Sequence, residues 1–165
     1  MLSTLLALSL TSTVEAGPLE NFTLHDDGSV VMNVLVEKPV AAVSNNLSSA
    51  MSVLSLDFGR TITKTVSKGA CQELHVETPG LFSPMQYVSL RCPTTDGYTE
   101  SMVSSEDFDA SEVQWTLTEV DGGTRITYRV LIDLAFPVSQ DMIQSRVKKS
   151  MRSVMSYFLD DITEE

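Results

Sequence analysis

The residues best suited to acid–base or metal chemistry lie in one short polar run. Glu73, His75 and Glu77 alternate along a predicted strand, and alternate residues of a strand project from the same face. Imidazole and carboxylate groups can hold a metal or transfer protons, but an exposed polar strip has the same pattern. Zinc would need more His or Cys ligands than this run offers. We therefore predict no metal, no cofactor and no catalytic residue, and keep as the alternative an enzyme with Glu73, His75 or Tyr87 as acid or base.

The two cysteines, Cys71 and Cys92, are the second candidates for chemistry. Cys71 opens one predicted strand and Cys92 closes the next, and residues 78–84 between them are rich in turn formers. A hairpin centred near Leu81 and Phe82 would place the two cysteines opposite each other. We predict that they form a disulfide in an oxidising compartment. Two separate buried thiols are the alternative.

The overall charge and the missing motifs exclude several classes of function. The chain carries 22 acidic and 11 basic residues, a net charge of −11, whereas nucleic acids and anionic membranes attract basic patches. The sequence contains no glycine-rich phosphate loop and no G-x-S-x-G elbow. We therefore predict no nucleic-acid partner.

Residues 1–16 have the pattern of a secretory signal peptide. Their leucine-rich run is too short to span a bilayer, and Val14-Glu15-Ala16 before Gly17 suits a signal peptidase, although no Lys or Arg precedes the run. We predict a signal peptide at 1–16, a single domain at 17–165, and a periplasmic or secreted protein with no integral membrane segment in the mature chain. An N-terminal strand or helix that belongs to the fold is the alternative.

Most of the mature chain is predicted as strands. Apolar or alternating runs bounded by turn residues predict seven strands, at 30–37, 61–67, 70–77, 85–92, 98–105, 112–120 and 124–134. Residues 94–97 and 121–123 predict tight hairpin turns. After the first strand, Pro39 begins a helical pattern that Asn45-Asn46 is expected to interrupt, which gives two short helices.

The segment 137–162 predicts one long amphipathic helix. Its apolar residues recur three or four positions apart, which forms a stripe along one face. A helix of this length needs a large apolar surface, and the preceding strands provide one. The order predicts an α+β fold with a curved antiparallel sheet of about seven strands, two short helices after strand 1, and the long C-terminal helix packed across the sheet.

This order resembles the helix-grip fold of the START-like, or SRPBCC, superfamily, which includes polyketide cyclase-like proteins. Residues 34–43, an apolar strand followed by a Pro-initiated helix, are similar to the beginning of the family's fold. Residues 113–126 look like the final hairpin of that fold. Phe136-Pro137, which lead into the amphipathic helix, look like its C-terminal part. The family usually has an aromatic residue in the first helix, where Val43 and Leu47 stand here. The resemblance implies a hydrophobic small molecule, a lipid, quinone or similar compound, bound between sheet and helix.

The cavity of such a fold would be lined by large side chains of the last strands and the long helix. The candidates are Tyr87, Trp115, Tyr128, Met142, Met151, Met155 and Phe158. A mostly apolar pocket with a few polar groups suits a hydrophobic ligand. Ordinary core packing explains the same residues. A cyclase- or dehydratase-like enzyme and a ligand-free protein-interaction module therefore remain the alternatives.

Overall fold

The structure, a computed structural model, describes residues 21–53, 60–80 and 83–163. The predicted signal peptide lies outside the described residues. The strands are β1 (Phe22–Leu24), β2 (Val30–Val36), β3 (Thr61–Lys68), β4 (Cys71–Thr78), β5 (Met85–Thr94), β6 (Gly97–Ser105), β7 (Phe108–Val120) and β8 (Gly123–Leu134). The helices are α1 (Val40–Val53) and α2 (Gln140–Thr163).

The eight strands form a single antiparallel sheet in the order β1-β2-β8-β7-β6-β5-β4-β3. From β3 to β8 each strand pairs with the next one in sequence, as the short turns between them predict. The helix α2 packs on β2 and β8, and α1 packs on β7. This arrangement confirms the predicted α+β fold with a long C-terminal helix across the sheet.

The sheet has one strand more than predicted, because residues 17–27 gave no strand pattern. Strand β1 is three residues long and pairs with β2. The Phe22 side chain packs against the core, and the Arg152 guanidinium of α2 lies 4.9 Å from the centre of its ring. Arg129 holds the turn after β1 through Asp27 Oδ2 at 2.6 Å. Tertiary contacts therefore order a segment that is too short to show a pattern in the sequence.

The predicted break of the first helix at Asn45-Asn46 is wrong, because α1 runs without interruption through both residues. Val43, Leu47 and Met51 lie on one face of this helix and are buried. Asparagine lowers helix propensity by well under ~1 kcal/mol per residue. The burial of the apolar face therefore outweighs the two unfavourable residues.

Helix α2 begins three residues after the predicted start. Ser139 caps it, since its Oγ accepts a hydrogen bond from the Met142 N–H at 3.3 Å and its carbonyl accepts from the N–H groups of Met142 and Ile143. At the other end Lys38 Nζ donates to the Ile162 carbonyl, where a positive charge is favourable. Within the described part of the chain, no helix is both long and apolar enough to cross a membrane.

Apolar residues of α2 form the main core with β2, β7 and β8. The buried members of the stripe are Ile143, Val147, Met151, Val154, Met155, Phe158, Leu159 and Ile162. A second, smaller cluster lies on β4, β5 and β7 and consists of Leu74, Val76, Tyr87 and Phe108. The candidate site lies between these two clusters, because residues of both line it.

The predicted disulfide is present and joins Cys71 of β4 to Cys92 of β5, with Cα atoms 4.3 Å apart. The β4–β5 pairing places Gln72 opposite Arg91. The adjacent Cys71 and Cys92 are therefore opposite each other, as the predicted hairpin requires.

Candidate functional site

A cavity of about 400 Å³ lies between the sheet and α2. Strands β5 to β8 form one wall, and one side of α2 forms the other. Most lining side chains are apolar: Met51, Pro79, Met85, Phe108, Val113, Trp115, Val130, Ile132, Leu134, Ile143, Val147 and Val154. Cavities of small-molecule sites have this size and character.

Three of the seven candidate residues line this cavity: Tyr87, Trp115 and Tyr128. The rings of Trp115 and Tyr128 are stacked with centroids 4.1 Å apart. Trp115 also meets Phe158 edge-on at 5.6 Å, an arrangement that aromatic pairs favour. Two of these three candidates thus belong to one packed aromatic group, which Phe158 completes.

The other four candidates lie away from the cavity wall. Met151, Met155 and Phe158 are buried in the core, each at most 1% exposed. Met142 is 44% exposed and lines a separate small pocket of about 50 Å³. The stripe of α2 is wide, and only its edge at Ile143, Val147 and Val154 meets the cavity.

A cluster of charged residues that is not among the predicted site residues lies in the cavity wall. The carboxylate of Glu100 accepts hydrogen bonds from two arginines: from Arg91 Nε at 3.1 Å and Nη2 at 2.8 Å, and from Arg60 Nη1 at 2.9 Å. Ser89 Oγ donates to the same carboxylate at 3.0 Å. Arg60 Nη1 also donates to the Tyr87 hydroxyl oxygen at 3.0 Å. We call Arg60, Arg91 and Glu100 the charged cluster.

The two arginines of the charged cluster differ in exposure. The side chains of Arg91 and Glu100 are each 7% exposed, whereas that of Arg60 is 20% exposed. Arg91 is held further by a bond from its Nη1 to the Met51 carbonyl at the end of α1. Arg91 therefore fixes the carboxylate in the sheet, and Arg60 is the member most open to the cavity.

The charges of the cluster determine its protonation. Burial raises the pKa of Glu100, but the charges and hydrogen bonds of Arg60 and Arg91 together outweigh it and bring that pKa down to about 2. Burial lowers the pKa of Arg60, but Glu100 more than compensates and the pKa lies above its ordinary value. The cluster thus keeps two positive charges and one negative charge at neutral pH.

The two tyrosines beside the cluster stay protonated. Burial raises the pKa of Tyr87, although Arg60 acts against it. Burial also raises the pKa of Tyr128, on which the charges of Arg60 and Glu100 act in opposite directions. Both hydroxyl groups can therefore donate a hydrogen bond to a ligand at neutral pH.

The arrangement of sheet and helices is shared by many solved structures. A START superfamily protein from Mycobacterium smegmatis superimposes with a TM-score of 0.58 at 12% identity, over 79% of this chain and 93% of that one. The human StAR-related lipid transfer protein 5 gives 0.58 at 12% identity, over 87% and 80% of the two chains. The chain has the START-like fold. This confirms the resemblance inferred from residues 34–43, 113–126 and 136–137.

A third structure with the START-like fold is the Zhui aromatase/cyclase from Streptomyces sp. R1128. It gives a TM-score of 0.53 at 11% identity, over 81% of this chain and 90% of that one. No protein-family model and no curated protein matches the sequence. At these identities the comparisons establish the fold, and the function has to be argued from the cavity.

Among the described residues that line the cavity, few could act as a general acid or base. Glu100 stays ionised down to pH values far below 7, so it carries no proton to donate at neutral pH. His75 and Glu73 alternate with the buried Leu74 and Val76, which places them on the opposite face of the sheet; there His75 Nε2 lies 3.4 Å from Glu73 Oε1. Of the three acid–base candidates only Tyr87 lines the cavity. In the described ranges no group of three or more His, Cys, Asp or Glu residues could hold a metal.

The charged cluster escaped the sequence analysis although a signal for it was present. The tight turn between β5 and β6 pairs Thr94 with Gly97, and the same register places Arg91 opposite Glu100. Arg91 also follows Tyr87 and Ser89 in the row of residues that faces inward on β5. A charge in an inward row, opposite a charge of the other sign, indicates a buried ion pair. Arg60 is remote in sequence and gave no such signal.

Proposed function

We propose that this protein binds a hydrophobic small molecule, such as a lipid or a quinone, in the START-like cavity. The observation that carries the proposal is the cavity itself: about 400 Å³ of space with walls of apolar and aromatic side chains and polar groups at one place. Interiors of proteins are otherwise close-packed. A space of this size therefore requires a reason other than folding, and an apolar ligand would cover its walls.

We further propose that the protein is periplasmic or secreted. The signal-like pattern of residues 1–16 supports this, and so does the disulfide, since disulfides persist in oxidising compartments. The intact mass of protein recovered from its own host tests the proposal. We expect the mass of residues 17–165, and the mass of the uncleaved chain would contradict it.

Filling the cavity tests the binding proposal. We expect N-phenyl-1-naphthylamine, a neutral dye whose emission rises in apolar surroundings, to bind the wild-type protein saturably. Val113 lines the cavity on β7, so Val113→Trp should weaken binding at least about tenfold, because the indole would occupy the ligand's space. The measurement is a fluorescence titration, accompanied by thermal unfolding to verify that the variant is folded.

Val103→Trp is the matched control. Val103 lies on β6 and is 59% exposed, so the same substitution adds the same side chain outside the cavity. We expect this variant to bind the dye like the wild type. Equal binding by both variants, or no saturable binding by the wild type, would contradict the proposal and favour an interaction module with no ligand.

A further inference from the structure

The charges around the cavity have the opposite sign to the charge of the whole chain. The chain has a net charge of −11, yet the charged residues that line the cavity, within the described ranges, are Arg60, Arg91, Arg146 and Glu100. Arg146 is exposed on α2, so the less exposed part of the wall holds two cations, Arg60 and Arg91, and one anion, Glu100. An uncompensated positive charge at a poorly hydrated wall is unfavourable unless an anion accompanies it.

Arg60 is the residue that can meet such an anion. Its Nη1 and Nη2 groups hold Tyr87 and Glu100, and across residues 21–53, 60–80 and 83–163 no partner is found for its Nε–H. Its side chain is one-fifth exposed and lines the cavity. All three nitrogens of Arg91, in contrast, donate to Glu100 or to the Met51 carbonyl.

The Tyr128 hydroxyl is a second unused donor. Tyr128 is 7% exposed and lines the cavity, and the described part of the chain provides no hydrogen-bond partner for its hydroxyl. The charges of Arg60, Glu100 and Arg91 all influence this hydroxyl, so it lies close to the cluster. Since Tyr128 lines the cavity, an acceptor atom on a ligand could accept a hydrogen bond from this hydroxyl.

We propose that the cavity selects amphiphilic carboxylic acids, with the ligand carboxylate bound by Arg60 and the Tyr128 hydroxyl and the apolar part against Trp115 and the α2 wall. This inference rests on the proposed function and names its ligand class. A carboxylate receives charge-assisted hydrogen bonds from a guanidinium and cancels the excess charge of the cluster. A neutral alcohol of equal length fills the same apolar space but leaves that charge uncompensated.

The test compares decanoate with decan-1-ol as competitors for N-phenyl-1-naphthylamine at pH 7.5. We expect decanoate to displace the dye at a concentration at least about tenfold lower, since hydrogen bonds to charged groups exceed neutral ones by about that factor. Equal displacement by both compounds would overturn the carboxylate preference and leave the proposed function intact. Failure of the dye itself to bind would instead contradict the proposed function.

Two substitutions assign the preference to the cluster. Arg60→Met leaves Glu100 paired with Arg91 and removes the excess positive charge. In this variant decanoate and decan-1-ol should displace the dye at concentrations within about threefold of each other. Arg60→Lys keeps the charge without the forked donors and should retain part of the preference. Arg125→Met is the matched control, because Arg125 is exposed on β8 and does not line the cavity. A loss of preference in this control, or an unchanged ratio in Arg60→Met, would overturn the assignment.

Discussion

Glu100 joins two segments that are distant in sequence. Its carboxylate accepts hydrogen bonds from Arg91 of the same β5–β6 hairpin and from Arg60, the residue before β3. Both oxygen atoms are used, and Ser89 occupies a further acceptor site. The side chain is almost fully buried. Removing its charge would leave two guanidinium groups facing each other in a poorly hydrated place.

We expect Glu100→Gln to lower the free energy of unfolding by about 3 kcal/mol or more at pH 7, the range seen when one partner of a buried ion pair is removed. Urea unfolding followed by the fluorescence of the only tryptophan, Trp115, measures it. Glu119→Gln, at an exposed position near the end of β7, is the matched control and should change the value by less than about 0.5 kcal/mol. A Glu100→Gln variant as stable as this control would contradict the account of the cluster.

The pH dependence of stability gives an independent prediction for the same residue. The pKa of Glu100 falls from 4.5 to about 2 on folding, so the folded state binds the proton more weakly than the unfolded state. The resulting stabilisation, roughly 3 kcal/mol, is fully present above pH 4.5 and is lost as the pH falls toward 2. The stability difference between wild type and Glu100→Gln should shrink over this interval. A constant difference would exclude the depressed pKa.

At the residue scale the sequence predicted the aromatic wall better than the polar one. Trp115 and Tyr128 stand in rows of alternating residues, so their inward direction followed from the period of a strand. Periodicity also predicted that Met151 and Met155 are buried, but it does not specify which edge of a wide helical stripe faces a cavity. The meeting of Arg60 with Glu100 depends on tertiary structure between distant parts of the chain.

At the scale of elements, long periodic segments were predictable and short or mixed ones were not. Helix α2 and the strands β2, β7 and β8 carry apolar or alternating patterns several residues long, and β3 is rich in β-branched residues. Strand β1 is too short to show one, and the two asparagines of α1 suggested a break that the buried face of the helix prevents. The Cys71–Cys92 pair was predictable because the hairpin register alone brings the two residues together.

The disulfide should contribute measurably to stability. It closes a loop with a sequence separation of 21, for which the chain-entropy account gives about 3 kcal/mol. We expect the double variant Cys71→Ala, Cys92→Ala to lose about 2–4 kcal/mol of unfolding free energy in urea. Dithiothreitol should weaken the wild type by a similar amount and leave the double variant unchanged. Equal stability of wild type and double variant would contradict this contribution.

At the scale of the whole molecule, the sequence predicted the architecture but not the open space inside it. The space depends on the curvature of the sheet. Strands bend at register shifts, and three of these lie between Ile62 and Lys64, between Val88 and Ser89, and between Phe108 and Ala110. Such bulges have no clear pattern in a single sequence.

The central claim is that this space holds an apolar ligand, and native mass spectrometry of protein purified from its own host tests it most directly. We predict a stoichiometric adduct, one apolar molecule per chain, which extraction would identify and which Val113→Trp would lack. A bare polypeptide mass that persists after incubation with lipids, fatty acids and quinones would contradict the claim.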